Sequence, residues 1–172
     1  MHTAILLGLL LQPPAGVLPE WELRPKIEKI GPDAARLAPL LNQLQPEKWI
    51  AAGAPEAYRR QWKDCLDAIS QIESASARFA AKPLQLSLAV EMLVRLETFL
   101  QHASSLSQAV RRYQNPAMAE ILEGEVLAAG ASRDWLRQHV LDLSRHREIE
   151  LEAAQSEADR CRTQLAKPAG RK

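Results

Sequence analysis

The residues best suited to chemistry form a row in the C-terminal third of the chain. His139, Asp142 and His146 follow one another at steps of three and four residues. Glu150 extends the row by another four, so all four side chains can share one face of a helix. Imidazole and carboxylate groups on such a face could hold a divalent transition metal. A solvated polar face is the commoner use of such a row, and the Glu-x-x-His pairs of di-iron bundles are missing from the sequence. We therefore assign no metal and no cofactor.

The two cysteines, Cys65 and Cys161, are the other reactive side chains. An oxidising compartment would permit a disulfide between them, but a disulfide needs Cα atoms within about 7 Å. On helices rising 1.5 Å per residue, Cys65 lies roughly 15 Å above the base of a bundle. Cys161 lies roughly 67 Å above that base if the last helix is continuous, or on the order of 20 Å below it if the chain reverses. Geometry therefore disfavours this disulfide and favours two buried free thiols, with a bond made possible by a bend in the chain or a bond between two chains as alternatives.

Composition and motifs exclude several classes of function. The sequence lacks a glycine-rich phosphate loop, GxSxG, HExxH and GxGxxG, so no catalytic residues are assigned and a non-enzymatic role is expected. The formal net charge is only +1. Nucleic-acid binding usually requires a clustered basic excess, so we expect no nucleic-acid partner.

The first 16 residues predict a signal peptide. Residues 4–11 form an apolar run that is too short to span a bilayer, for which roughly 20 residues are needed. Such a run fits the central region of a secretory signal, although no Lys or Arg precedes it. An uncleaved anchor or a tail packed on the domain are the alternatives. No later segment is apolar enough to cross a membrane, so we expect a secreted or periplasmic protein without a stable membrane span.

Proline divides the rest of the chain. Eight of the 11 prolines lie at or before Pro55, and proline breaks helix interiors. We expect residues 17–31 to form an extended, proline-rich linker and residues 32–166 to form the helical domain. One short helix is expected within 33–45. Residues 167–172, which contain Pro168 and Gly170, are expected to be a disordered tail.

Three long helices are predicted after Pro55. The chain has 26 Leu and 27 Ala against 6 Val, a composition that favours helix over sheet. Apolar residues recur at helical spacing from about 55 to 81, from 83 to 114 and from 116 onward. Short loops join them, which requires antiparallel neighbours. The fold is therefore predicted to be all-α, an up-down bundle of three long helices plus a short N-terminal helix. Gly130 leaves open whether the last helix breaks or continues and protrudes.

An apolar row on the last helix predicts the functional surface. Its spacing is that of a coiled-coil seam, interrupted by Arg147. We predict association with a helical protein or with a second copy through this surface. A small-ligand or metal-binding bundle, using the His139 row or a cavity around Trp62, is the alternative. The residues assigned to the surface are Leu136, Val140, Leu143, Leu151, Ala154 and Leu165, with Ala158 and Cys161 in the same row.

Charged and aromatic residues complete the sequence predictions. Residues 145–152 read RHREIELE, which favours ion pairs within one helix and leaves a basic-then-acidic contact surface as the alternative. Trp62 is expected in the core and Trp49 at one end of the bundle. Trp21, in the predicted linker, is expected to dock on the bundle, with docking on a partner as the alternative.

Overall fold

The computed structural model describes residues 17–166, and every regular element in that range is an α-helix. This confirms the predicted all-α fold. The helices are α1 (Glu20–Glu28), α2 (Ile30–Ala35), α3 (Ala38–Leu41), α4 (Pro46–Ala51), α5 (Ala57–Ala81), α6 (Leu86–Tyr113) and α7 (Pro116–Ala166).

Helix α6 is the centre of the bundle. It packs along α5 on one side and along α7 on the other, and short loops make both pairs antiparallel. Helices α1 and α2 pack on α5, and α2 also reaches α7. The three long helices thus form the predicted up-down arrangement, and the short N-terminal helices fill its fourth corner. Among the described residues, none of the helices is apolar enough over a sufficient length to cross a membrane.

The N-terminal part of the domain differs from the prediction. Most of residues 17–31 are helical rather than extended, and Leu23, Ile27 and Ile30 are fully buried. Pro19 precedes the first turn of α1, where its missing N–H costs nothing, and Pro25 is tolerated within the helix. Burial of apolar side chains at helical spacing outweighs the cost of that proline. The bundle therefore begins before residue 32, and residues 33–45 contain the end of α2 and the whole of α3 instead of one helix.

Side-chain hydrogen bonds fix the turn between α6 and α7. The Gln114 Oε1 atom accepts from the Trp49 indole N–H at 3.1 Å and from the Gln45 backbone N–H at 3.1 Å. The Gln114 amide nitrogen donates to the Gln43 carbonyl oxygen at 3.0 Å. Trp49 is buried at this end of the bundle, as the sequence predicted. Asn115 then caps α7, since its Oδ1 accepts from the Ala117 backbone N–H at 2.9 Å.

Helix α7 runs without interruption from Pro116 to Ala166. Gly130 does not break it. This glycine is a buried residue of α7, in the part of the helix that packs on the bundle. The last hydrogen bond between α7 and the rest of the described bundle is made by Arg147, whose guanidinium donates to the Leu84 carbonyl oxygen at 3.4 Å. Beyond that point α7 protrudes, as the sequence allowed.

Candidate functional site

The protruding end of α7 is the most conspicuous exposed feature of the described chain. We call residues 148–166 the projecting segment; every one of them is exposed. At 1.5 Å per residue, the segment extends about 28 Å beyond the bundle. Its hydrogen bonds among the described residues remain within the helix, as in the pair between Thr163 and the Asp159 carbonyl oxygen. The bundle therefore leaves this helix available on all sides.

An apolar row runs along one face of the projecting segment. We call this row the seam; it consists of Leu151, Ala154, Ala158, Cys161 and Leu165. The steps between them alternate between three and four residues, the spacing of a coiled-coil contact. Leu151 is 58% exposed and Leu165 is 86% exposed. Such a row of apolar side chains in water is a candidate contact surface.

The seam points to the same side of α7 as the residues that face the bundle. Five full turns of 3.6 residues separate Leu136 from Ala154, and the same interval separates Leu143 from Cys161. Because Leu136 and Leu143 are buried against the bundle, the seam overhangs the end of the bundle near the loop that contains Leu84. A helix bound to the seam would therefore lie above that loop.

The predicted interaction surface is too long at its N-terminal end. Leu136 and Leu143 are essentially fully buried and Val140 is half-buried, so all three belong to the bundle. They pack there because α6 and the N-terminal helices cover this stretch of α7. Leu151, Ala154 and Leu165 remain exposed. The surface available to a partner therefore begins after Arg147.

The charges of the projecting segment are unevenly distributed. Its first turns carry Glu148, Glu150 and Glu152, and its last turns carry Glu157 and Asp159 together with Arg160 and Arg162. Within the helix, Glu150 pairs with Arg147 at 2.6 Å and with His146 at 3.0 Å. The hydrogen bond from Arg147 lowers the pKa of Glu150, so this carboxylate stays charged near neutral pH. The predicted ion pairs within the helix are present, and they continue in the last turns, where Arg160 pairs with Glu157 at 3.7 Å and Arg162 with Asp159 at 3.0 Å. The segment is therefore acidic in its first turns and mixed in charge in its last turns.

The structure separates the predicted metal-ligand row. The His139 ring is buried, stacked on Trp135 at a centroid distance of 5.4 Å, and its Nε2 lies 3.0 Å from the Pro83 carbonyl oxygen. His146 instead pairs with Glu150. Within residues 17–166, no three His, Cys, Asp or Glu side chains are grouped as metal ligands. The spacing along the chain was correct for one face, but His139 points into the bundle.

Burial also fixes the chemistry of His139. A carbonyl oxygen only accepts hydrogen bonds, so Nε2 must carry the hydrogen in this contact. Desolvation lowers the pKa of His139, against smaller opposing effects from the Pro83 carbonyl and from Asp142. The ring is therefore neutral at pH 7 and links α7 to the loop before α6.

The two cysteines lie in very different surroundings, and both are free thiols. Cys65 is buried beside the Phe99 carbonyl oxygen, and desolvation raises its pKa to about 12. Cys161 is exposed on the seam. Cys65 lies at the level of Phe99 on α6, close to Glu97, which pairs with Arg137 of α7. Cys161 lies roughly 36 Å beyond Arg137 along the axis of α7. A disulfide within one chain is therefore excluded by distance in this structure.

An open groove between α5 and α6 is the principal alternative site. Polar side chains line it, including Asp64, Asp67, Arg95 and His102, with Val94 at its edge. Its carboxylates and imidazole do not form a metal-ligand cluster within the described residues. The groove is open to solvent and offers no enclosed pocket for a small ligand.

The tryptophans divide between core and surface. Trp62 is half-buried, and its indole N–H donates to the Leu41 carbonyl oxygen at 2.8 Å. Trp21 was expected to dock on the bundle, which is wrong: it is 73% exposed. It lies on α1 opposite the buried pair Leu23 and Ile27, so the helix directs it to solvent. The hydrogen bond of Trp62 thus links α5 to the end of α3. It accounts for the position of the indole without a ligand cavity around it.

No protein-family model matches the chain, and no curated protein and no solved structure is significantly similar to it.

Proposed function

We propose that this chain is a non-enzymatic interaction protein that binds another helix through the seam on its projecting segment. The observation that carries this proposal is the complete exposure of the segment beyond Arg147, with Leu151 and Leu165 on one face. A partner helix laid along this face would remove their apolar surface from water. Each leucine contributes roughly 1.5–3 kcal/mol when fully buried.

The bundle prepares the segment for binding. An isolated helix of about 19 residues is only marginally stable in water, because its first turn is costly to form. Here the helix is already nucleated, since the preceding turns of α7 are packed on α6. A partner therefore need not supply the free energy of ordering this helix, which would otherwise be subtracted from the binding energy.

We further propose that the chain is exported, on the sequence of residues 4–11. Intact mass of the protein recovered from each cell fraction tests this. A mass that corresponds to a cut near residue 16, found outside the cytosol, supports export. A full-length protein confined to the cytosol contradicts it and leaves the binding proposal unaffected.

The test of binding uses Cys161 as a natural reporter. This thiol lies on the seam, so a bound helix should slow its reaction with a maleimide, whereas buried Cys65 stays unreactive in either case. We expect slow labelling of Cys161 in intact cells and fast labelling in the Leu151→Glu variant. Ile149→Glu is the matched control: Ile149 is 65% exposed against 58% for Leu151, but lies about 200° away around the helix.

The control should label as slowly as the unchanged protein in cells, because its new charge faces away from the seam. If Cys161 is labelled in cells as fast in the unchanged protein as in the Leu151→Glu variant, the seam is uncovered and the proposed function is wrong. Mass spectrometry of the labelled peptide measures both rates.

A further inference from the structure

We propose that the partner of the seam is a second copy of this chain, bound antiparallel, so that the two projecting segments lie side by side between two bundles. This inference rests on the proposed function and names its partner. Three features of the described residues support it: the direction of the seam, the distribution of charge and the sizes of the seam residues.

The direction of the seam excludes a parallel pair. The seam overhangs the end of the bundle, so a helix bound to it lies above the loop containing Leu84. In a parallel pair, the residues before 148 of the second copy would run beside the first copy's α7, on the side where the first bundle lies, and would collide with that bundle. In an antiparallel pair, these residues of the second copy run away from the first bundle, and the second bundle lies beyond Ala166 of the first copy. Only the antiparallel arrangement leaves room for both bundles.

Two charged residues that flank the seam, Glu148 and Arg162, fit the same orientation. In a parallel pair, Glu148, Glu150 and Glu152 would lie beside the same three carboxylates of the second copy. In an antiparallel pair, Glu148 lies close to Arg162 of the second copy on both sides of the dimer, whereas Glu157 lies close to Glu157 of the second copy near the centre. Opposite charges beside a helical contact select partner and orientation. The two Glu148–Arg162 pairs thus favour this orientation, against one pair of like charges at the centre.

The sizes of the seam residues define a register. Placing Leu151 level with Cys161 of the second copy sets Ala154 opposite Ala158, twice by symmetry. The small central side chains let the two helices approach closely, as in other contacts built on alanine. Leu165 then reaches the level of Arg147 of the second copy, at the end of its bundle. In this register Glu148 flanks Arg162 of the second copy on both sides of the two-fold axis.

The contact is short, so we expect a weak dimer, with a Kd on the order of 10 µM. Sedimentation of the full chain from about 1 to 300 µM should show the mass rising from 19.2 kDa toward twice that value. Leu151→Glu should raise the Kd at least about 100-fold, because two leucines are lost from each dimer. Ile149→Glu should leave the Kd unchanged within about threefold, since its side chain faces solvent.

Disulfide trapping tests the orientation and the register. Under mild copper–phenanthroline oxidation, which takes up the two hydrogens of each thiol pair, the Leu151→Cys variant should form chains linked from residue 151 to Cys161. The unchanged protein should link poorly, because in this register its two Cys161 residues lie about 15 Å apart. The Ile149→Cys variant should also link poorly.

A charge exchange tests the complementarity. Arg162→Glu should raise the Kd about tenfold by placing like charges beside each other on both sides of the dimer. Adding Glu148→Arg in the same chain should restore the original Kd, because the exchanged pairs attract again.

Three results would overturn the inference. A chain that stays monomeric up to 300 µM while Cys161 is slowly labelled in cells would keep the proposed function but assign the seam to a different protein. A monomer whose unfolding midpoint falls in Leu151→Glu would show that another part of the same chain, such as the apolar run at residues 4–11, covers the seam. Efficient linkage of Cys161 to Cys161 in the unchanged protein would show a parallel pair.

Discussion

At the scale of single residues, His139 shows how burial replaces one chemistry with another. Its ring lies between Trp135 and Phe79, with centroid distances of 5.4 and 6.0 Å, and it bonds the Pro83 carbonyl. With the hydrogen on Nε2, the lone pair of the ring is on Nδ1, but the ring is buried and no three His, Cys, Asp or Glu side chains within residues 17–166 are grouped as metal ligands. The residue therefore links α7 to the loop at the end of α5.

The lowered pKa of His139 predicts acid sensitivity. Below a pH of about 6.5 an unfolded histidine takes up a proton, whereas the buried ring resists it. The unfolded state then binds more protons, so stability falls as the pH drops from 6.5 toward the folded pKa. We expect His139→Phe to be less stable at pH 7.5, because it leaves the Pro83 carbonyl unpaired, but to lose less stability on acidification. Urea unfolding between pH 7.5 and 5.5 measures this.

The control is His102→Gln, which removes a histidine on α6 that lines the groove facing α5. It should retain the acid sensitivity of the unchanged protein. An equally steep fall in stability for His139→Phe would show that other groups cause the acid sensitivity.

The spacing of the reactive residues predicted which of them share a helix face, but it could not show which neighbouring elements cover that face. The row from His139 to Glu150 shares a helix face by spacing alone, yet whether a given turn of that helix is buried depends on where the bundle ends. Cys161 and Leu143 occupy equivalent positions five turns apart, and one is exposed while the other is buried. The apolar spacing is the same at both positions. They differ in burial only because the bundle ends between them, at the end of α5 and its loop.

At the scale of elements, the close approach of α2 to α5 depends on Gly31. A Cβ atom built at Gly31 would lie 3.2 Å from the Glu73 Cα atom, which is tighter than an ordinary van der Waals contact. The neighbouring atom is backbone and cannot turn aside. The absence of a side chain at residue 31 thus lets α2 fill the fourth corner of the bundle.

Two glycine substitutions should therefore have opposite effects. Gly31→Ala is expected to lower the free energy of unfolding by about 1–3 kcal/mol, because it forces α2 away from α5. Gly124→Ala should raise it by about 1 kcal/mol, since this glycine lies inside α7 and nothing lies within 4 Å of a Cβ there. Urea unfolding of the two variants in parallel measures the difference. A stabilising Gly31→Ala would contradict the close packing of α2 on α5.

The long helices were predictable because local signals agree with packing. Asn115 and Pro116 begin α7 as their types predict, and apolar periodicity marks α5 and α6. The N-terminal helices were not predictable from proline content. In α1 the local signal of Pro25 opposes helix, and the burial of Leu23 and Ile27 against α5 prevails. Tertiary packing decides such elements, and it is not visible in a short stretch of sequence.

At the scale of the whole molecule, the chain combines a closed bundle with an open helix. Buried polar side-chain atoms in the described residues all have hydrogen-bond partners, including Asp33, which accepts from Arg36 and from Ser132 of α7. The bundle is thus complete by itself. The projecting segment adds no buried residue to it.

This division predicts that the bundle folds without the projecting segment. A chain ending at Arg147 keeps the contact with the Leu84 carbonyl and loses only exposed residues. We expect its free energy of unfolding to remain within about 0.5 kcal/mol of that of the full chain. The comparison must be made near 1 µM, where the full chain should be monomeric. Far-UV circular dichroism in urea measures both stability and the loss of helical signal.

The same truncated chain distinguishes a role of the projecting segment in stabilising the bundle from a role in binding a partner. It should remain monomeric at concentrations where the full chain associates, because the whole seam has been removed. Should its stability at 1 µM fall by several kcal/mol instead, the projecting segment must pack on its own bundle, since exposed helix contributes little to folding. The seam would then be a covered internal face, and its exposure beyond Arg147 could no longer support a partner.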